Sequence, residues 1–336
     1  MLRIQFSSFS LASPLSASFG RRLLGAALLL GAAAVGAQSA YPNQAVRLVV
    51  PFPPAGGTDV LTRLVMAEVT QATQWSFVVD NRPGAGGNIG LDMVAKARND
   101  GYTLGTGQTA NLAINPSLYS KLPFDPQKDL APVALLASQP VVIVVRAESP
   151  VKTLADLKTR GSAQALNMAS PGTGTVGHIA GEMFARRAGI KLTHVPYKGA
   201  GPAITDLIGG QTDFYVATPP SVLQMIKGGK LRALAVTSAQ RIPALAEVPT
   251  VAESGYAGFV AEDWKALVAP AGTPAPVVEE LNHAVNAALK KPALIARMQE
   301  EGTTVRGGSA AELGALIKSE NARWGAAVKA SGAKAD

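Results

Sequence analysis

Short apolar runs alternate with amphipathic stretches along the chain after residue 40. The runs are bounded by Gly or Pro, and they predict strands at Val46–Pro51, Ser76–Asp80, Tyr102–Thr106, Val141–Arg146, Ala165–Ala169, Lys191–Tyr197, Asp213–Ala217, Leu231–Thr237 and Lys265–Ala269. Helical periodicity between them predicts helices at Asp59–Thr70, Gly90–Ala97, Thr153–Thr159, Val176–Ala188, Pro202–Ile208, Val222–Lys227, Pro276–Lys290, Pro292–Glu301 and Ala310–Lys329. This alternation indicates an α/β fold with two mixed, mostly parallel sheets.

The first 39 residues have the pattern of a signal peptide. Arg21 and Arg22 precede an apolar run over residues 23–37, and small residues follow it. A membrane anchor would need about 18–20 apolar residues, so we expect cleavage near residues 37–40 and export to the periplasm. The paired arginines leave twin-arginine export open beside the general pathway.

The composition of the chain excludes several classes of site and partner. The 336 residues suffice for two domains, and 47% of them are apolar. The chain has no cysteine, which excludes disulfides, thiolate nucleophiles and cysteine-based metal sites. The formal charge of +8 is scattered, with no basic stripe interleaved with aromatics, so nucleic acid is not a predicted partner.

Two glycine-rich loops follow predicted strands. In PFPPAGGTD (51–59), a helix beginning at Thr58 or Asp59 would direct its first N–H groups at an anion, although a tight turn with an Asp cap fits equally. SPGTGTVGH (170–178) contains a GxGxxG pattern, but the next strand lacks the acidic residue that binds the ribose of NAD. The hydroxyls of Ser170, Thr173 and Thr175 favour a small anion there, and a purely structural turn remains open.

Catalytic patterns are missing from the sequence. It has neither a GxSxG elbow nor a Walker loop, and His178, His194 and His283 lack metal-ligand spacing. We interpret His194 as a packed strand residue and His178 as a ligand contact beside the Ser/Thr cluster. No catalytic residue, metal or cofactor is therefore predicted, and the chain is not expected to be an enzyme.

Several long strings resemble one known family. They include YPNQAVRLVVPFPPAGGTD, NRPGAGGNIG, HVPYKGAGPAITDLIGGQTD and APAGTP, in order between about 41 and 325. The chain resembles the Bug family, the periplasmic solute receptors of tripartite tricarboxylate transporters. The resemblance implies a two-lobed Venus-flytrap fold of type II-like architecture with two crossover strands. Lobe 1 would comprise 41–141 plus 263–336, and lobe 2 would comprise 142–262.

The resemblance also implies the binding loops. The residues that correspond to the loops of the family are Ala55, Gly56, Gly57, Thr58, Asp59, Thr106, Thr109, Asn111, Ser170, Thr173, Gly174, Thr175, His178, Ala217, Thr218 and Pro219. Many relatives have an acidic-amide pair where this chain has Ala217-Thr218, and relatives often have Thr or Ser in place of Asn111. Ala217 cannot pair with a ligand ammonium group, which predicts a carboxylate without an amine.

The expected function is a monomeric receptor. It would bind a di- or tricarboxylate between its lobes and deliver it to a membrane permease. Two alternatives remain at this stage. One is a sensor of the same fold that reports to a signalling partner, and the other is a nicotinamide-dependent oxidoreductase that rests on GTGTVG alone.

Overall fold

A computed structural model describes Gln5, Ser8, residues 41–54 and residues 56–335. Apart from Gln5 and Ser8, the predicted signal peptide and its cleavage site near residues 37–40 lie outside the described residues. Ala55 also lies outside them. Residues from Gln44 onwards form one compact unit. None of the described helices combines the length and apolarity needed to cross a bilayer.

The described chain builds strands and helices in alternation. The strands are β1 (Val46–Val50), β2 (Phe77–Asn81), β3 (Thr103–Gln108), β4 (Leu130–Pro140), β5 (Val142–Arg146), β6 (Leu166–Ser170), β7 (Leu192–Pro196), β8 (Phe214–Ala217), β9 (Leu231–Val236), β10 (Glu262–Pro270) and β11 (Thr304–Val305). The α-helices are α1 (Gly57–Thr73), α2 (Asn88–Ala95), α3 (Asn115–Leu118), α4 (Leu154–Ala163), α5 (Val176–Ala188), α6 (Ala200–Ile208), α7 (Pro219–Lys227), α8 (Ala275–Leu289), α9 (Pro292–Glu300) and α10 (Ala310–Ser331). A π-helical turn, Ala110–Ile114, precedes α3, and short 3₁₀ turns occupy Ala85–Gly87 and Pro243–Leu245.

Two mixed sheets organise these elements into a two-lobed fold. The first has the order β11-β4-β10-β3-β1-β2 and the second the order β7-β6-β8-β5-β9. Strands β1, β2 and β3 pair in parallel, as do β6, β7 and β8. Strand β10 runs antiparallel to β3 and β4, and β5 runs antiparallel to β8 and β9. The prediction of mixed sheets is confirmed.

Co-directional strands predominate in each sheet, as predicted, although neighbouring strands are paired in both directions. Most strands of each sheet point the same way, but β10 and β5 are inserted with the opposite direction between co-directional neighbours. Among the described strands, antiparallel pairs therefore outnumber parallel ones. The physical reason is that β5 and β10 follow the two passages of the chain between the sheets rather than helical crossovers, which enforce parallel order.

Thr237 links the two segments in which the chain passes between the sheets. A single residue, Val141, separates β4 from β5, and the return passage ends with Ala261 before β10. The buried hydroxyl of Thr237 accepts a hydrogen bond from the Val141 amide at 2.9 Å and donates to the Ala261 carbonyl at 2.5 Å. The lobe boundaries 41–141 plus 263–336 and 142–262 stay a prediction.

Local chemistry explains where the helices begin. A capping box of Ser309 and Glu312 starts α10, and Thr153 with Asp156 forms a second box at α4. Gly177 permits α5 to lie against the second sheet, because a Cβ there would come 2.2 Å from the Val216 carbonyl oxygen. These features fix α5 and α10, which contact each other.

Candidate functional site

A cleft of about 660 Å³ lies where α1 from the first lobe and α7 from the second approach each other. Its first wall is the α1 end, with Gly56, Gly57, Val60, Leu61 and Leu64; the second is the α7 face, with Thr218, Pro220, Ser221, Leu223, Gln224 and Lys227. The remaining lining residues are Gln139, Ala200, Met298, Glu300, Glu301 and Thr303. One apolar wall therefore opposes one polar wall.

The first glycine-rich loop brings the beginning of α1 to this cleft. The helix begins at Gly57 after an extended Gly56. The first N–H groups of an α-helix have no partner within the helix, and the helix dipole adds positive potential there. A Cβ at Gly57 would meet no atom within 4 Å, so the backbone at this point is open to the cleft. This end of α1 can accept an anion.

The side chains of Thr58 and Asp59 form hydrogen bonds that stabilise the first glycine-rich loop. The Thr58 hydroxyl donates to Gln108 Oε1, and both residues are buried. The Asp59 carboxylate accepts hydrogen bonds from Arg63 Nε and from Asn81 Nδ2, which also donates to the Phe52 carbonyl. Neither predicted side chain lines the cleft. Asp59 instead holds the loop against the end of β2.

The predicted loop from Thr106 to Asn111 is buried behind the first. Thr106 accepts a hydrogen bond from Thr62 on α1, and Thr109 accepts one from the Trp264 amide on β10. Asn111 lies in the π-helical turn, where its Oδ1 accepts from the Gln108 amide. Its Nδ2 is a buried donor for which the described residues offer no acceptor. The three residues stabilise the end of β3 and stand outside the cleft lining.

The second glycine-rich loop is braced by its own side chains. Thr175 is the N-cap of α5: its Oγ1 accepts from the His178 amide and donates to the Gly172 carbonyl. Gly174 has a φ of +79°, and a Cβ there would lie 2.5 Å from Leu118 Cδ2 of α3. The glycines of GTGTVG thus allow a turn and close packing. Thr173 is half-buried on the same turn.

The fourth predicted loop lies at the beginning of α7. Ala217 is buried at the end of β8, and Thr218 caps α7 in an extended conformation. Pro219 and Pro220 lack N–H groups, and the Ser221 amide donates to the Thr218 carbonyl. This helix end therefore cannot surround an anion with backbone amides, and it offers the cleft the side chains of Thr218 and Ser221 instead.

Comparison with known proteins identifies the family. The family model for the "tripartite tricarboxylate transporter family receptor" matches residues 61–333. A UPF0065 protein from a tcbD-tcbE intergenic region of Pseudomonas sp. (strain P51) is 39% identical over 92% of this chain and 94% of its own. The chain belongs to the tripartite tricarboxylate transporter receptor family. The predicted resemblance to Bug proteins is thereby confirmed.

Two solved structures extend the comparison for this receptor. The periplasmic binding protein BugD superposes with a TM-score of 0.80 at 34% identity, covering 88% of this chain and 99% of BugD. Rpa4515 of R. palustris, solved with adipate, superposes with a TM-score of 0.82 at 36% identity, covering 87% and 98%. This receptor thus superposes on a periplasmic binding protein and on a protein solved with adipate over nearly their whole lengths.

Several residues that the sequence did not single out line the cleft. Of the predicted site, Gly56, Gly57 and Thr218 line the cleft. The residues missed are Gln139, Ser221, Gln224, Lys227 and Thr303. The i, i+3 spacing of Thr218, Ser221, Gln224 and Lys227 marks one helix face and was a signal available in the sequence. Gln139 and Thr303, joined by a 2.8 Å hydrogen bond, come from distant segments.

Two histidines stack beneath the second loop of the receptor. The rings of His178 and His194 lie 3.7 Å apart and are inclined by 8°. His178 Nδ1 accepts from the Gly174 amide, and His194 Nε2 lies 2.7 Å from Ser170 Oγ. Burial, together with the charge of His194, lowers the pKa of His178 to about 3, and burial lowers that of His194 to about 4. Both rings are neutral near pH 7 and support the loop by hydrogen bonding.

The histidine pair predicts a pH dependence of stability. The unfolded chain binds protons at the ordinary histidine pKa of 6.5, whereas the folded pair binds them only near pH 4 and 3. Folding is therefore expected to weaken as the pH falls from about 6.5 towards 3. In urea unfolding across this range, His178→Asn with His194→Asn should flatten the dependence. The exposed control His283→Asn should leave it unchanged, and equal slopes in all three proteins would contradict the assignment.

Thr175→Ala is expected to destabilise the folded protein. The substitution removes the N-cap of α5 and the bond to Gly172, so we expect a loss of about 1 kcal/mol in the free energy of unfolding. Chemical denaturation measures this loss. Thr175→Ser, which keeps the hydroxyl, is the control and should recover most of it. A Thr175→Ala protein as stable as its parent would show that the cap contributes nothing.

Proposed function

We propose that this chain is an exported receptor that binds a small di- or tricarboxylate without an amine in its interlobe cleft. It delivers this ligand to the membrane permease of a tripartite transporter, acts as a monomer in the periplasm, and catalyses no reaction. Residues 41–141 plus 263–336 and residues 142–262 act as the two closing lobes. The signal peptide over residues 1–39 directs export.

The observation that carries the proposal is the helix end in the cleft. The 17-residue helix α1 begins at Gly57, and Gly56 and Gly57 both line the cleft. A carboxylate fits this end because amides and helix dipole both favour negative charge. Adipate, with which Rpa4515 was solved, is a carboxylate, and Rpa4515 is 36% identical to this chain. The opposite wall adds the Thr218 hydroxyl as a donor, whereas the Ser221 hydroxyl already donates to the Thr218 carbonyl.

Closure supplies the affinity that an open lobe lacks. Micromolar binding requires about 8 kcal/mol, and one hydrogen bond to a charged group contributes roughly 1.5–3 kcal/mol. The end of α1 alone cannot supply that sum after the cost of immobilising the ligand. Closing α7 against α1 adds further donors and removes water from the cleft. Thr237, which bonds to both passages between the lobes, is a suitable pivot.

The proposal that the ligand has no amine rests on Ala217, at the end of β8. Ala217 is buried there and carries no charge to pair with an ammonium group. The acid of the first loop, Asp59, is already engaged by Arg63 and Asn81. Neither loop therefore offers an amino acid a carboxylate partner. The carboxylates of the cleft lining, Glu300 and Glu301, lie outside both loops, at the end of α9.

A thermal-shift screen of the purified chain tests the function. The panel contains mono-, di- and tricarboxylates, aspartate, glutamate and NAD. A ligand at a thousand times its Kd stabilises the fold by about 4 kcal/mol, a shift of several degrees. Stabilisation by one class of amine-free carboxylate is the expected result. Stabilisation by amino acids but not by these acids would contradict the ligand class, and stabilisation by NAD alone would contradict the receptor function.

A further inference from the structure

Positive charge is concentrated at one edge of the second sheet. Strand β5 runs antiparallel to β8 and β9, while β6, β7 and β8 run in parallel, so β5 ends at the edge where the other four strands begin. Strands β6 and β8 end at the opposite edge, at the second glycine-rich loop and the fourth predicted loop. The segments at the first edge, which we call the basic edge, are 146–165, 186–191, 206–213 and 228–232.

The basic edge carries the whole net charge that follows the predicted signal peptide. Its segments include nine Lys or Arg and four Asp or Glu, whereas the other residues from 41 to 336 include nineteen of each. Seven of the nine cations are exposed: Arg146, Lys152, Lys158, Arg186, Arg187, Lys191 and Lys230. Such a one-sided distribution of charge attracts a partner of negative charge.

Most carboxylates of the basic edge are engaged within the fold. Asp213 accepts a hydrogen bond from Arg160 at 2.7 Å. Asp156 completes the capping box of α4, and Asp206 accepts from the Tyr197 hydroxyl. The salt bridges among the described residues involve none of five exposed cations: Arg146, Lys152, Lys158, Lys191 and Lys230. These five charges are therefore available to an outside partner.

The ends of two neighbouring strands bring cations and an apolar side chain together. Strand register pairs Arg146 of β5 with Leu231 of β9, which directly follows Lys230. A Cβ on Gly210 would lie 2.5 Å from Arg146 Nη1, so this guanidinium lies against the turn after α6. Ile208, the last residue of α6, is among the exposed large apolar side chains of the described chain. Cations and an exposed aliphatic residue thus share one surface.

The width and composition of the basic edge favour a lipid surface as the partner. Five strands about 4.8 Å apart spread the strand ends over roughly 19 Å, too far for one small anion to contact. The four segments contain no Trp, Tyr or Phe. Protein interfaces rely on aromatic anchors, and single-stranded nucleic acids are bound by stacking on aromatic rings. An anionic bilayer, in contrast, binds dispersed cations and accepts an aliphatic side chain at its interface.

We propose that the basic edge adsorbs on anionic lipid headgroups. Arg146, Lys152 and Lys230 contact the phosphates, and Ile208 enters the interface. Reversible electrostatic attraction then holds the receptor at the membrane surface. The loops of the candidate site stand at the opposite edge of the same sheet, so the adsorbed receptor can still bind its ligand. The proposal goes beyond the receptor function, because it requires neither the ligand nor the permease.

Co-sedimentation with vesicles tests the proposal on residues 41–336, which contain the whole compact unit from Gln44 onwards. Vesicles of phosphatidylcholine alone are compared with an equal mixture of phosphatidylcholine and phosphatidylglycerol. We expect binding to the mixed vesicles at low salt, weaker binding at high salt because ions screen the charges, and none to phosphatidylcholine alone. A chain that ignores the mixed vesicles overturns the proposal. If that chain is retained on immobilised polyglutamate, the basic edge binds an acidic protein instead.

A triple variant removes charge from the basic edge. Arg146→Gln with Lys152→Gln and Lys230→Gln changes three exposed side chains, so its urea unfolding is expected to match that of the parent. Its binding to the mixed vesicles should fall about a hundredfold, since each cation near an anionic surface contributes roughly fivefold. Ile208→Ser keeps every charge and should weaken binding severalfold. Parental binding by the triple variant would overturn the proposal, and parental binding by Ile208→Ser would overturn the insertion of this side chain.

A second triple variant separates position from net charge. Lys121→Gln with Lys290→Gln and Lys318→Gln removes the same number of exposed cations outside the basic edge. It should bind the mixed vesicles like the parent. Equal losses in the two triple variants would show that net charge alone attracts the chain to the vesicles, which would overturn the assignment to this edge. Carboxylate binding is expected to be unchanged in both triple variants.

Discussion

Replacing Trp324 with alanine is expected to lower the free energy of unfolding by about 3–5 kcal/mol, the largest stability effect predicted for this receptor. Trp324 lies on α10 and is fully buried. Truncation removes a large apolar side chain from a packed core and leaves a cavity that the neighbours only partly fill. Calorimetric or urea unfolding at neutral pH measures the change.

Loss of the Trp324 indole N–H adds to the destabilisation expected from the cavity. Trp324 Nε1 donates to Glu320 Oε2 at 2.8 Å, and Trp264 Nε1 of β10 donates to the same oxygen at 3.0 Å. Burial alone would raise the pKa of Glu320, but hydrogen bonds and charge from Arg323, with help from both indoles, lower it below its ordinary value. The carboxylate is therefore ionised and depends on its donors.

Trp324→Phe is the matched control for packing. It keeps most of the buried volume and removes the N–H, so its expected cost is about 1–3 kcal/mol, the range for leaving a buried acceptor short of a donor. A Trp324→Ala protein within about 1 kcal/mol of its parent would show that α10 is not part of the cooperative core. The expected loss follows from its position, because α10 contacts α5 of the second lobe and Arg186 of α5 donates to the Ala330 carbonyl.

The hydrophobic pattern predicted most of the secondary structure for physical reasons that can be traced. All nine predicted strands and nine predicted helices have counterparts in the described chain. Strand β4 was missed because Pro132 and Pro140 interrupt a continuous apolar run, and proline normally argues against a central strand. Strand β11 has two residues, Thr304 and Val305, too few for a periodicity.

The sequence predicted only those parts of the candidate site that have a pattern among neighbouring residues. Gly56 and Gly57 were found because a Gly-rich turn before a helix has a sequence signature. Asp59 has the same signature, yet its carboxylate turns to Arg63 and Asn81, since a buried acid goes to the donors around it. Gln139 reaches the cleft through strand pairing with β10, which connects positions more than a hundred residues apart. Such a contact has no local signature.

Gly57→Leu is expected to abolish ligand binding, with a loss of affinity of about a hundredfold or more and a fold as stable as the parent. Gly57 lines the cleft, and a Cβ there meets no atom within 4 Å, so the first atom of a side chain fits without displacing protein atoms. Leucine also favours the helix over glycine by several tenths of a kcal/mol. The added side chain would occupy the space over the first amides of α1, where the carboxylate is proposed to lie.

The control for added bulk lies on the same helix. Ala72 is exposed near the other end of α1, so Ala72→Leu adds apolar volume away from the cleft and should bind carboxylates like the parent. Gly57→Ala adds one methyl group and should give an intermediate loss of about tenfold. Titration with whichever carboxylate stabilises the parent reports all three affinities. Undiminished binding by Gly57→Leu would place the ligand away from the end of α1, since a side chain of that size cannot share this space with a carboxylate.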